Sequence, residues 1–156
     1  SVSGQWLYVT DELEAVSTGR AYAFGVPSLC AMDDGRLIVM EREGFADAVI
    51  GEAGFCKVTL YVVDPTAVAA GSVLEKVLLT EIRTSLNVTI LPPFVSGDWA
   101  NYEGMCLGPK LADGSRMLLL VSDSQGNETQ GNSLASFTCQ DWFLPIVLRE
   151  SESADK

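Results

Sequence analysis

The chain alternates between short apolar runs and clusters of Gly, Asp, Asn and Pro. The clearest runs are Trp6–Thr10, Ser28–Met32, Arg36–Met40, Lys57–Val63, Gly104–Leu107, Met117–Val121, Ser133–Phe137 and Phe143–Leu148. Runs this short, rich in Val, Leu, Ile and aromatics and bounded by turn formers, predict β-strands. Asp34-Gly35 separates two of them and Asp113-Gly114 two others, the sequence of a two-residue hairpin turn. One stretch is ambiguous. Apolar residues at 73, 74, 77, 78 and 82 suit a helix, whereas Lys76–Thr80 suits an outer strand. We read a strand there, with Asp64–Gly71 as a loop or a single helical turn.

The two hairpins share a plan. Each runs apolar strand, Asp-Gly turn, basic residue, longer apolar strand and charged terminus, so that Glu41 and Asp123 end their second strands. Gly35 and Gly114 lie 79 positions apart. That exceeds the roughly 40–50 residues of common propeller blades, and long loops around Pro92-Pro93 account for the excess. Two divergent four-stranded units with an opening strand predict an all-β fold, an antiparallel β-propeller fragment of about two to three blades. A small β-sandwich is the alternative. Closed propellers use about four to eight blades, so residues 1–150 are expected to be part of a propeller whose N-terminal blades are absent. Residues 151–156 form a polar tail.

Composition narrows the chemistry. With 47% hydrophobic and 20% charged residues, the 156-residue chain is globular in character. No apolar run approaches the roughly 18–20 residues that span a bilayer. Ser1–Trp6 has neither a basic region nor an apolar stretch, so no signal peptide stands in this sequence. Ten basic residues against twenty-one acidic ones give a net charge of −11, which argues against nucleic acid as a partner. An anionic substrate then needs a bridging metal ion. There is no histidine, which excludes Ser-His-Asp and Cys-His pairs within the chain and leaves carboxylates, Lys, Tyr or a bound metal. Cys30, Cys56, Cys106 and Cys139 show no zinc spacing. Their even number permits two disulfides, but each sits in an apolar run and reads as a buried free thiol.

Several side chains are candidates for a site. Glu103 follows Asn101 and Tyr102 at the start of a strand, and in a propeller such positions lie at the mouth of the central channel. Glu103, Glu41 and Asp123 offer oxygen ligands to a hard cation such as Ca²⁺, to which Asn101 adds a carbonyl. Arg42 follows Glu41, so alternation sends the two to opposite faces. It either clamps a phosphate or carboxylate or pairs with an acid of the next blade. Trp6, Trp99 and Trp142 read as packing residues. Ser122 and Ser124 have no base nearby in sequence and are not taken as nucleophiles. Asn87 and Asn127 begin glycosylation sequons, which matter only in a eukaryotic secretory pathway.

Three segments resemble a known family. Asp34–Arg42 (DGRLIVMER), Lys57–Asp64 (KVTLYVVD) and Asn101–Asp123, with its EGM, GP, DG and SD elements, occur in the order of the phytase-like family described as having an "esterase-like activity of phytase". The resemblance implies a secreted or periplasmic β-propeller. It also implies a hydrolase of phosphate or carboxylic esters, assisted by Ca²⁺ at the channel mouth. Glu103 and Asp123 would be catalytic, Glu41, Glu103 and Asp123 metal ligands, and Arg42 and Asn101 substrate-binding residues. The implied partners are a small anionic ester and whatever covers the exposed sheet faces: remaining blades, a second chain or a homodimer partner. A non-catalytic propeller that binds a ligand or protein is the competing function.

Overall fold

A computed structural model describes residues 4–14, 22–45, 53–88, 95–97, 100–123 and 143–149. Their regular structure is entirely β. The strands are β1 (Tyr22–Ala31), β2 (Leu37–Phe45), β3 (Ala53–Val63), β4 (Lys76–Val88), β5 (Val95–Gly97), β6 (Tyr102–Lys110), β7 (Arg116–Ser122) and β8 (Phe143–Leu148). They form a five-stranded sheet, β1-β2-β3-β4-β5, and a three-stranded sheet, β6-β7-β8. Every pairing is antiparallel. Among the described residues no helix is long and apolar enough to cross a membrane.

Alternation explains how the sheets stack. Ile38 and Met40 of β2, and Cys56, Val58 and Leu60 of β3, project from one face of the first sheet. They meet Leu118 and Leu120 of β7, with Met105, Leu107, Leu144, Ile146 and Leu148 packed around them. Ala100 and Tyr102 close the core at one end. The opposite face of the first sheet carries Glu41, Glu43, Lys57, Thr59 and Tyr61. Residues 4–14 lie along it as an extended strap.

The strap is the segment around Trp6–Thr10 expected to be a strand. It makes an isolated parallel bridge, Leu7 to Val73, and no ladder. Backbone bonds hold it to the 71–74 turn: Leu7 N to Ser72 O (2.9 Å), Gly71 N to Gln5 O (2.6 Å) and Leu74 N to Leu7 O (2.8 Å). Trp6 donates its indole N–H to the Val68 carbonyl at 3.4 Å.

Lys76–Thr80 is strand, inside the long β4, and 64–71 is irregular turn. The Asp-Gly turns differ from expectation in detail. In the first, Met32 N donates to Arg36 O at 2.8 Å and Gly35 N to Met32 O at 3.2 Å. That is a three-residue loop closed by a glycine at φ 91°, a type I turn with a bulge rather than a two-residue turn. The second repeats it, with Leu111 N to Ser115 O at 2.8 Å and Gly114 at φ 85°. Asp34 and Asp113 select this form by accepting the N–H two residues on, Arg36 and Ser115, each at 3.0 Å. β2 also runs beyond Glu41 to Phe45, so Glu41 lies mid-strand rather than at a strand end. Short β5 was not anticipated. Ser133–Phe137, Trp99, Trp142, Cys139, Ser124, Asn127 and residues 151–156 lie outside the described residues.

Of the cysteines, Cys30 and Cys56 are buried free thiols, as their apolar runs indicated. Cys106 is free but exposed. It sits on the face of β6 that turns away from the core, opposite in direction to Met105 and Leu107.

Candidate functional site

Two charged clusters lie on opposite faces of β2, and alternation between Glu41 and Arg42 separates them. The first is on the core-facing side. Arg42 Nη1 donates to Asn101 Oδ1 at 2.6 Å and to Glu103 Oε1 in an ion pair. Asn101 Nδ2 donates to the same Glu103 oxygen at 2.8 Å. Three candidates named from the sequence thus form one clasp between the two sheets. It lies at the end away from the Asp-Gly turns, where Asp33 instead pairs with Lys110 and Arg116.

Local structure fixes this clasp. Ala100 N donates to Thr84 Oγ1 of β4 at 3.0 Å, and Asp123 N donates to Asn101 O at 2.8 Å. The lead into β6 is therefore pinned to both sheets. In the β6–β7 ladder Tyr102 pairs with Ser122 and Gly104 with Val121, leaving Glu103 as the extra residue of a bulge. Bulges re-aim a side chain and gather near active sites. A second irregularity, between Gly25 and Ser28 of β1, lies directly across from the Arg42 region. Asn101 is buried, while the side chains of Arg42 and Glu103 are 16% and 34% exposed. The pair is thus shielded and still within reach of solvent. Asp123 follows β7 at the same end and is exposed. Ser122 is buried.

The second cluster binds the strap. Glu41 Oε1 accepts from Tyr8 OH at 2.5 Å and from Lys76 Nζ at 2.8 Å, and its Oε2 accepts from Asp11 N at 2.9 Å. Tyr61 OH donates to Asp11, whose other oxygen takes Lys76 at 2.5 Å. Further along, Glu14 pairs with Lys57 at 3.1 Å and Arg83 at 2.9 Å, and Lys57 also meets Glu43 at 2.9 Å. Lys76 lies over the Tyr8 and Tyr61 rings, 5.4 and 4.4 Å from their centroids.

These contacts shift the titrations. Burial raises Asp11, but Lys76 and Tyr61 outweigh it and hold the carboxyl below its ordinary value. Arg83 and Lys57 lower Glu14. Burial lowers the lysines, yet Glu43 with Glu14 raises Lys57, and Asp11 with Glu41 raises Lys76. Burial and then Glu41 push the Tyr8 hydroxyl well up, and burial with Asp11 does the same to Tyr61. This network was not read from the sequence. Its signal was present, since Glu41 and Glu43 alternate within an apolar strand opposite Lys57, a pattern of charges that must be paired.

The expected set Glu41, Glu103 and Asp123 is not gathered into one coordination shell. Glu41 faces the strap and both its oxygens are occupied, whereas Glu103 faces Arg42. Among the described residues no group of three or more His, Cys, Asp or Glu is placed to hold a metal ion. Glu103 and Asp123 share an end, and Arg42 supplies the positive charge there.

The fold and clasp define an all-β protein of stacked antiparallel sheets, with an Arg–Asn–Glu cluster fixed where they meet. The family model described as "Phytase-like: Esterase-like activity of phytase" matches residues 1–126, and the chain belongs to that family. Membership suggests an esterase-like hydrolase activity. No curated protein and no solved structure matches the chain.

Proposed function

We propose that the protein hydrolyses small phosphate or carboxylic esters at the Arg42–Asn101–Glu103 clasp. The observation that carries this is the bulge at Glu103, which turns a carboxylate onto a guanidinium from another sheet within reach of solvent. Arg42 receives the substrate's acyl or phosphoryl oxygen and stabilises the negative charge that develops on it. Asn101 holds both partners in place. Glu103 accepts a proton from water as the water oxygen bonds to the carbonyl carbon or phosphorus. The ester C–O or P–O bond breaks, and the proton passes to the departing alcohol oxygen.

Calcium enters the proposal in a reduced form. Glu103 and Asp123 are the carboxylates that would hold it; Glu41 is not. When bound, Ca²⁺ would offset the charge of an anionic substrate beside an acidic protein and polarise the ester. The proposal also takes the two sheets as neighbouring blades of a propeller in a secreted or periplasmic protein, as the family resemblance implied. Stacked sheets with β1 beside β6 support the blade reading.

The test uses nitrophenyl acetate and nitrophenyl phosphate, which release the same chromophore, each with Ca²⁺ and with a chelator. Turnover of either ester supports the reading. Absence of turnover in all four conditions returns the protein to the competing class, a non-catalytic binding protein.

A further inference from the structure

Alternation along β4 turns Thr80, Ile82 and Thr84 toward the core, across from Leu60, Val58 and Cys56 of β3. Ile82 packs against the core there. Thr84 is buried on the same face, yet it is polar. Valine has the same shape, so packing alone does not call for a hydroxyl at this position. A buried hydroxyl costs free energy unless it is bonded, and this one is. Its oxygen accepts the Ala100 N–H at 3.0 Å. Its own hydrogen has the Cys56 and Ala100 carbonyls within reach, at 3.4 and 3.5 Å. Ala100 stands in the lead between β5 and β6, outside both ladders, so no strand partner serves that N–H.

That lead carries the clasp. Asn101 is held from the other side, where Asp123 N donates to its carbonyl at 2.8 Å. Its buried side chain accepts from Arg42 at 2.6 Å and donates to Glu103 at 2.8 Å. A shift of the main chain at Ala100 therefore carries Asn101, and Glu103 after it, away from the guanidinium on the other sheet. We infer that Thr84 is a positioning residue for the clasp: its hydroxyl fixes the main chain at Ala100, and through it the placing of Asn101 and Glu103 against Arg42. Thr84 acts through the main chain and does not meet the substrate. Its effect on turnover rests on the hydrolase reading; its effect on the Arg42–Glu103 pair does not.

Two measurements test this on the wild type, Thr84→Val, Thr84→Ser and Ile82→Val, each checked for folding by circular dichroism. The first needs no substrate. Arg42→Ala, Glu103→Gln and their double variant are unfolded in urea, in the wild-type background and again in those of Thr84→Val and Thr84→Ser. The losses should be non-additive in the wild type, additive in Thr84→Val and non-additive again in Thr84→Ser. The second is ester turnover. Thr84→Val should lose about 10-fold or more in kcat, because the reacting groups are displaced. Thr84→Ser should recover most of it. Ile82→Val trims the same face without removing a hydrogen bond and should keep kcat close to wild type. If Thr84→Val does not fold, hydrogen exchange of the Ala100 amide in the wild type decides: strong protection supports the proposal, and exchange at the intrinsic rate overturns it. A wild type without turnover defeats the hydrolase reading and leaves the unfolding cycle to judge Thr84. A kcat in Thr84→Val no lower than in Ile82→Val overturns its role in the reaction. Equal non-additivity in Thr84→Val and wild type, or additivity in the wild type itself, overturns the proposal whatever the turnover.

Discussion

Arg42 of β2 and Glu103 of β6 meet across the seam between the two sheets, although 61 residues separate them in the chain. Neither side chain is placed by its own strand alone. Arg42 is turned toward the second sheet by alternation from the buried Met40, and Glu103 is turned back by the bulge beside Gly104.

Replacing Arg42 should affect both stability and activity. Arg42→Ala removes a cation from two acceptors in a shielded setting, a change expected to cost about 1–3 kcal/mol. Arg42→Lys keeps the charge but loses the planar fork, so it should recover part of the stability and less of the activity. Urea unfolding and kcat/KM on the same preparations check this. Equal recovery of both by Lys would show that charge alone matters at this position.

The strap should loosen at both extremes of pH. Asp11 and Glu14 have lowered pKa values in the folded chain. Their contribution is therefore complete above the unfolded carboxylate range of about 4 and is lost as pH falls through the lower folded values. Lys57 and Lys76 are raised. Their contribution is complete below the unfolded value near 10.4 and is lost as pH rises past the folded one. Hydrogen-exchange protection of the Leu7, Gly71 and Leu74 amides, corrected for intrinsic rates, should be greatest near neutrality. Asp11→Asn should flatten the acid limb at a cost of about 1 kcal/mol or less. Protection independent of pH would show that backbone bonds alone hold the strap.

Gly104 should not tolerate a side chain. A Cβ there would lie 2.5 Å from Val121 Cγ1. Gly104→Ala is expected to cost about 1–3 kcal/mol and to move Glu103 off Arg42. The double variant Gly104→Ala with Val121→Ala should regain stability, because the clashing methyl is gone. Thermal unfolding of the three proteins decides this, and a double variant no better than the single one would place the strain elsewhere.

Most of the described strands were legible in the sequence because their apolar runs alternate or stay apolar between turn formers; β5 was not, and the run Trp6–Thr10 became a strap with an isolated bridge. The hairpins were legible from their Asp-Gly pairs, though the turn form was decided by side chains bonding two residues on. The extension of β2 through Glu41, Arg42 and Glu43 was hidden, since three consecutive charges read as a strand terminus. They stay in the strand because Tyr8, Asp11, Lys57 and Lys76 pair with one face and Asn101 and Glu103 with the other. For the same reason Glu41 passed for a metal ligand beside Glu103, when its partners come from a strap 30 residues earlier. Alternation correctly separated Glu41 from Arg42. It did not reveal what stood opposite each.

The clasp as the seat of hydrolysis is tested most directly by the turnover of nitrophenyl acetate and nitrophenyl phosphate by the wild type and Glu103→Gln. The amide keeps the size of the carboxylate but cannot accept the water proton. The wild type should turn over at least one of the two esters measurably. Glu103→Gln should lose about 100-fold or more in kcat, with circular dichroism close to wild type and a stability loss of about 1–3 kcal/mol from the unpaired Arg42. Turnover unchanged in a folded Glu103→Gln would contradict it.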